Sequence, residues 1–420
     1  MPKVVRFAKP TPNHDDISKA VSLVSSAKFP VILSGAGVVL SDAIPECVEL
    51  AERLDAPVCC GYQHNDSFPG SHPLAAGPLG YNGSKAAMNL ISKADVVLAL
   101  GTRLNPFSTL PCYGIDYWPN SAKVIQVDIN PDRLGLSKKI TLGISADAKT
   151  TVKEILDRLE PNAGNTDRQA RKKTIAETKS KWLQELSSMD NEEDDPGTTW
   201  NIDARTREPE RMSPRMAWRA IQSALPQNAI ISSDIGNNCA IGNAYPSFEE
   251  GRKYLAPGLF GPCGYGFPAI IGAKIACPNV PVVGFAGDGA FGISMNEMTS
   301  CGRDDWPGIT MVIFRNYQWG AEKRNTTLWY QNNFVGTELN QDFSYAKIAE
   351  GCGLKGVQVW SMEELTNELR MSCGEQKKGI TTFIEVILNQ ELGEPFRRDA
   401  MKAPEIVAGI NKTDMAEQTF

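Results

Sequence analysis

The sequence predicts an α/β protein made of two doubly wound parallel-sheet domains. Three observations carry that expectation. The chain has 420 residues, room for two domains or three. Short apolar runs closed by Gly, Asn or Asp alternate with helical segments, the pattern of parallel strands covered on both faces. The alternation occurs twice, on either side of an acidic stretch rich in Pro and Gly.

The first domain is expected at about residues 10–160. "PVILSGAGVVL" reads as a strand and a glycine turn, "AIPECVELAERLDA" as a helix and "PVCCGY" as a strand. "ADVVLALGTRL" and "AKVIQVDIN" follow as two more strands closed by turn residues. Residues 161–211 are expected to link the domains: "NTDRQARKKTIAETKSKWLQEL" reads as a charged helix, and "MDNEEDDPGTTWNIDARTREPE" as a linker or surface excursion.

The second domain is expected at 212–395, opening on the helix "MSPRMAWRAIQSALP". Its strands are "AIISSDIG", "PVVGFAGDG", "ITMVIFRN", "GVQVW" and "TTFIEVILN". Helices between them are "GFPAIIGAKIAC", "GISMNEMTSCGR", "SYAKIAEGCG" and "SMEELTNELRMSC", which completes a second doubly wound sheet. Residues 396–420 read as an irregular tail.

Composition narrows the function. Apolar content of 42% and charged content of 22% are those of an ordinary soluble globular protein. A net charge of −6 points to no nucleic-acid or acidic-membrane partner. The first residues lack the apolar core of a signal peptide, and no apolar run reaches membrane-spanning length. The 10 cysteines are scattered without a Cys-x-x-Cys, so they read as reduced core residues of a cytoplasmic protein. The 3 histidines, His14, His64 and His72, all lie in the first half, which excludes a histidine-based triad or zinc site in the second domain.

The chemistry concentrates in "PVVGFAGDGAF". In an open parallel sheet, ligands bind beyond the carboxyl ends of the strands. Gly287-Asp288-Gly289 sits at such an end, and the next strand ends at Arg315-Asn316. If the two strands are neighbours, the Asp288 carboxylate and the Asn316 amide oxygen meet at one sheet edge. Oxygen ligands of this kind suit Mg²⁺ or Ca²⁺, and Mg²⁺ commonly shares its shell with phosphate oxygens. The glycines let the backbone approach a diphosphate, and a following helix N-terminus favours its charge. Alone, Gly-Asp-Gly is a turn signal; its strand-end placement and the later Asn are what give it meaning.

That combination resembles the cofactor motif of thiamine-diphosphate (ThDP) enzymes of the acetolactate-synthase type. The resemblance implies ThDP and Mg²⁺ as cofactors. It assigns Asp288, Asn316 and the main-chain carbonyl of Gln318 to the metal, and Gly287, Asp288, Gly289, Ala290 and Asn316 to the cofactor. The family's usual Asn-Asn ending is Arg315-Asn316 here, which spares the ligating second Asn. "SSDIGNNCA" places Gly236, Asn237 and Asn238 beside the diphosphate. "GLFGPCGYGFPAIIGAKIA" places Cys263 and Gly264 under the thiazolium ring, where most members carry Met, Leu or Ile; the alternative for Cys263 is a small buried hydrophobe.

Longer stretches, among them "ALGTRLNPFSTLPCYGIDYWP", "QWGAEKRNTTLWYQNNFVGTELNQDFSYAKIAEGCG" and "LGEPFRRDAM", resemble the sulfoacetaldehyde acetyltransferases. Members convert 2-sulfoacetaldehyde and phosphate into acetyl phosphate and sulfite in the breakdown of taurine and related sulfonates. The resemblance identifies the two units as the middle and diphosphate-binding domains of such an enzyme. A sulfonate and a phosphate need cationic partners. Lys323 and Arg324 after the metal loop are candidates, as are Arg397 and Arg398 in the tail, the tail pair being preferred. The family's pyrimidine-binding domain, with its activating glutamate, is expected outside this chain. No catalytic residue is therefore named, and the partner is expected to be a separate pyrimidine-binding subunit or further copies in a homo-oligomer. Another ThDP-dependent carboligase or decarboxylase, or a silent cofactor-binding subunit, are the alternatives. Gly35-Ala36-Gly37 lacks the third glycine of a dinucleotide fingerprint; relatives of this middle domain sometimes hold FAD or ADP.

Overall fold

The computed structural model describes residues 8–160, 168–189, 211–258, 260–303, 305–329, 333–392, 406–407 and 410–411. Arg397 and Arg398, together with most of the acidic linker and tail, lie outside the described residues. The first sheet contains β1 (Pro30–Ser34), β2 (Val58–Cys60), β3 (Ala75–Pro78), β4 (Val96–Leu100), β5 (Lys123–Asp128) and β6 (Leu142–Ser145). The second contains β7 (Ile230–Ser233), β8 (Tyr254–Leu255), β9 (Val282–Gly287), β10 (Thr310–Arg315), β11 (Lys355–Val359) and β12 (Thr382–Ile387). All pairings within both sheets are parallel. The orders are β3-β2-β1-β4-β5-β6 and β11-β12-β10-β9-β7-β8. Each order reverses once beside a central strand. The resulting crevices lie between β1 and β4 and between β7 and β9, where an open α/β sheet binds its ligand.

The apolar runs became strands because every residue of β1, β4, β7, β10 and β12 is buried. A strand covered by helices on both faces has no polar side to expose. The helices start where short polar side chains can accept orphan N–H bonds. Ser213 accepts from Met216 N ahead of Pro214, Asp147 from Thr150 N, and Ser361 from Glu364 N. Trp218, on the Pro214–Ala224 helix, packs at a tilt against Phe285 and Phe314, and each such buried ring contributes about 1.5–3 kcal/mol.

Several elements depart from the sequence expectation. The segment 292–303 is not one helix: an Asp288–Ser294 helix begins at the aspartate itself, and a 3-10 turn and a short Met298–Cys301 helix follow. The charged helix expected in the linking region is present as Arg168–Met189 and packs against both sheet units. Ile175 joins the first core, while Trp182 and Leu186 join the second. Buried Arg171 caps the carbonyls of Lys28, Leu54 and Asp55. The two sheet units also touch directly. Asn65 Nδ2 donates to Asn243 O and Pro246 O, and Asn243 Nδ2 donates to Tyr81 O.

Candidate active site

The second sheet brings its chemistry to the carboxyl ends of β7, β9 and β10. β9 and β10 are neighbours, with Gly287 paired to Phe314, so Asp288 and Asn316 stand at one edge as the spacing required. Asp288 is 1% exposed. Its Oδ2 accepts from Tyr317 N at 2.7 Å and from an Arg315 amine at 3.2 Å, and its Oδ1 accepts from Gly289 N at 2.9 Å. Burial pushes the Asp288 carboxyl up to about 6, against the opposing pull of Arg315 and the two N–H donors. Tyr317, a non-glycine residue, holds φ at 59°, which turns its N–H onto the carboxylate; such strain marks functional turns. The Tyr345 hydroxyl donates to Asp288 O.

Just after β7 and β10, the strands that flank β9, stand buried oxygens that accept no hydrogen bond from the described residues: Asn238 Oδ1, Asn316 Oδ1 and Gln318 Oε1. Burying an acceptor without a partner costs about 1–3 kcal/mol, so each asks for a ligand. Among the described residues no three His, Cys, Asp or Glu side chains cluster as a metal site. A cation here would lean on one carboxylate plus amide and carbonyl oxygens, the donor set of a hard ion that shares its shell with phosphate. Gly236 and Gly287 border open space: a Cβ on either would meet nothing within 4 Å. The orphaned oxygens and the open glycines together fit a magnesium diphosphate group.

The flanking loops are built to hold still. Asp234, at the end of β7, accepts from Ile235 N, Gly264 N and Gly266 N at 2.8, 3.1 and 2.6 Å. It thereby pins the loop that carries Cys263. Sequence reasoning passed over Asp234, although a carboxylate at a strand's carboxyl end was the same signal that drew attention to Asp288. Gly264 lies at φ 87°, and a Cβ there would press on Ile293 at 3.0 Å, which ties this loop to the Asp288–Ser294 helix beside Ala290. Cys263 is half-buried; burial, with Asp234 and Glu322 nearby, pushes its thiol up, so it stands as a neutral group. Gly289 faces the Trp319 ring, which a Cβ would strike at 2.9 Å.

Asn237 is fixed from two sides. Its Nδ2 donates to Glu391 O at 3.0 Å, and its Oδ1 accepts from Arg324 at 2.6 Å. The Arg324 guanidinium also lies 4.6 Å from the Tyr81 ring of the first unit. Lys323, its neighbour on the Gly320–Trp329 helix, is buried and donates to Glu338 at 2.6 Å. The structure therefore brings Gly236, Asn237, Asn238, Asp288, Asn316 and Gln318 to one edge, with Arg324 anchored among them and Lys323 balanced by a carboxylate.

A cavity of about 530 Å³ opens at the corresponding edge of the first sheet, lined in part by Gly37, His64, Arg103 and Asp128. There Gly35 and Gly37 pack on Gly101, so those glycines serve backbone contact. No described helix is long and apolar enough to cross a membrane.

Comparison with known proteins follows the same division. Residues 17–155 match the thiamine pyrophosphate enzyme central domain, and residues 234–386 match the C-terminal TPP binding domain of those enzymes. A probable sulfoacetaldehyde acetyltransferase of Rhizobium meliloti is 71% identical over 418 residues, covering 100% of this chain and 71% of that protein. The sulfoacetaldehyde acetyltransferase of Roseovarius nubinhibens is 69% identical over 418 residues, covering 100% of this chain and 69% of its own length. The crystal structure of benzoylformate decarboxylase from Polynucleobacter necessarius superposes with a TM-score of 0.71 at 19% identity, covering 94% of this chain and 68% of that one, a likeness of fold.

Proposed function

Because the chain belongs to the sulfoacetaldehyde acetyltransferase family of thiamine pyrophosphate enzymes, we propose that it takes 2-sulfoacetaldehyde and phosphate to acetyl phosphate and sulfite. The observation that carries the site reading is the group of buried, unpartnered oxygens at the sheet edge that carries Asp288. ThDP, when bound, supplies the nucleophilic carbon and the electron sink that an acyl transfer of this kind needs.

Every other role falls to the chain's own residues. Asp288, Asn316 and the Gln318 carbonyl would hold Mg²⁺. Gly236, Asn237, Asn238, Gly287, Gly289 and Ala290 would line the diphosphate, and Gly287 leaves the room it needs. Cys263 and Gly264 would pack under the cofactor's ring on the loop that Asp234 fixes. The small Cys263 side chain and the absence of one at Gly264 would leave room for the ring. Arg324 steadies Asn237, and Arg324 and Lys323, the latter paired with Glu338, are candidates for binding the substrate anions. Arg397 and Arg398 are further candidates for the sulfonate and phosphate. The ten free cysteines fit a reducing cytoplasm. Small-molecule substrates, and a homo-oligomer or a pyrimidine-binding partner, complete the proposal.

The test is release of sulfite and formation of acetyl phosphate from sulfoacetaldehyde with phosphate, Mg²⁺ and ThDP. It is run on the 420-residue chain with and without the pyrimidine-binding domain of a relative. Equal amounts of the two products, dependent on phosphate, support the reading. Carbon dioxide release from pyruvate without sulfite chemistry would replace it with a decarboxylase or carboligase.

A further inference from the structure

Arg315 is 0% exposed, at the end of β10, where only strong compensation makes a buried guanidinium tolerable. One amine donates to Asp288 Oδ2 at 3.2 Å, and the other donates to Asn340 O at 2.7 Å and Phe343 O at 3.3 Å. Its Nε lies 3.4 Å from Glu385 Oε1, close enough to attract as an ion pair although the angle is not that of a hydrogen bond. The rings of Tyr317 and Phe343 flank the guanidinium at 4.3 and 4.5 Å. Glu385 is itself held, accepting at Oε2 from Ser344 Oγ, Ala346 N and Gln358 Nε2. The pair sits on one face of the sheet: Ile313 is registered with Glu385 and Arg315 with Ile387, two residues along on each strand.

The consequence falls on Asp288. Two donors occupy Oδ2, whereas Oδ1 accepts only from Gly289 N among the described bonds. We propose that Arg315 is a positioning residue: together with Tyr317 N it withholds Oδ2, presents Oδ1 as a one-oxygen ligand, and thereby sets the preference of this site for Mg²⁺ over Ca²⁺. The proposal rests on the reading of Asp288 as a metal ligand. Its chemistry is a difference between two hard cations. Mg²⁺ needs near-octahedral geometry at about 2.0–2.1 Å and accepts single carboxylate oxygens. Ca²⁺ takes about 6–8 oxygens, often both from one carboxylate, in flexible arrangements. A carboxylate locked through one oxygen serves the first ion and denies the second its two-oxygen grip. Two buried anions and one buried cation are costly to desolvate, and a fixed ligand geometry gives that expense a function.

The experiment titrates Mg²⁺ or Ca²⁺ against fixed ThDP and follows binding by calorimetry, with folding checked by thermal melting. Wild type is compared with Arg315→Lys and with Arg315→Gln combined with Glu385→Gln, which removes one buried cation and one buried anion together. Loss of an outer-shell partner typically weakens a metal site by about 10–100-fold. The expected result is a loss of that size for Mg²⁺ with less than about a 3-fold loss for Ca²⁺, so that the ratio between the ions shifts. Equal losses for both ions, or no loss for either, would overturn the proposal. Failure of both variants to fold would also overturn it, in favour of a purely structural role. Asp288→Ala is run beside them. If that variant keeps wild-type metal-dependent binding, the site reading fails. If it loses binding while the Arg315 variants keep the wild-type ratio, only the role of Arg315 fails.

Discussion

At the strand ends of the first sheet, a Cβ on Gly35 would lie 2.6 Å from Gly101 O, and one on Gly37 would lie 2.5 Å from Gly101 Cα. At the corresponding ends of the second sheet, a Cβ on Gly236 or Gly287 would meet nothing within 4 Å. Both sheets are doubly wound, and both place glycines where ligands bind in such folds. The first set lets two backbones touch, as glycine commonly does. The second set leaves open space at the strand ends that carry Asp288, Asn238 and Asn316, the last two with unpartnered oxygens. The absent side chain makes backbone contact in the first set and leaves space in the second.

The largest effect that would break this comparison is at Asp288. Asp288→Ala removes the one carboxylate of the expected Mg²⁺ shell, so Mg²⁺-dependent ThDP affinity should fall by more than about 100-fold, the upper range for outer-shell changes. The chain should still melt cooperatively. Calorimetric titration of both proteins decides it, and equal affinities would remove Asp288 from the site.

Cys263→Trp comes next. The loop that carries Cys263, proposed to lie beneath the ring, is pinned by Asp234 and resists a large side chain. Overfilling costs about 1–3 kcal/mol, which converts to about 5–150-fold in ThDP affinity. Normal binding with native-like melting would place Cys263 away from the cofactor.

The first sheet should answer differently. Gly37→Ala drives a methyl into the Gly101 backbone and should destabilise the protein by about 1–3 kcal/mol, measured by urea denaturation, with unchanged diphosphate binding. A smaller effect follows from His64. Burial, with Arg103 beside it, holds this histidine down at about 4. The unfolded chain therefore binds the extra proton between its ordinary value near 6.5 and that depressed one, so stability is present above pH 6.5 and is lost as pH falls toward 4. The ring lines the cavity and keeps some exposed area, so the loss is at most about 2 kcal/mol. Wild type should lose that much relative to His64→Gln between pH 7 and pH 4; parallel profiles would show that His64 is not buried neutral.

Much of this was legible in the sequence because buried parallel strands read as unbroken apolar runs. β1, β4, β9, β10 and β12 could be read in this way. β3 could not: "AAGP" has no β-branched or aromatic residue. β8 could not, with only 2 residues. The Gly320–Trp329 helix shows no apolar stripe in "GAEKRNTTLW", so the element carrying Lys323 and Arg324 was invisible although both residues were noted. Asp288 and Asn316 were legible through strand-end position alone. Arg315 was visible only as a departure from Asn. Its pairing with Glu385 depends on the register of β10 against β12, which no local pattern encodes.

The comparison itself turns on Gly287. Its φ of −68° is open to any residue, and nothing stands within 4 Å of its absent side chain, so the fold should accept alanine. The open space should not. Gly287→Ala is therefore measured for melting temperature and for Mg²⁺-dependent ThDP affinity side by side with Gly37→Ala. The account predicts a melting temperature within about 2 °C of wild type, a change below 1 kcal/mol, together with at least a roughly tenfold loss of affinity. A Gly287→Ala protein that melts as early as Gly37→Ala, yet binds ThDP as wild type does, would contradict it.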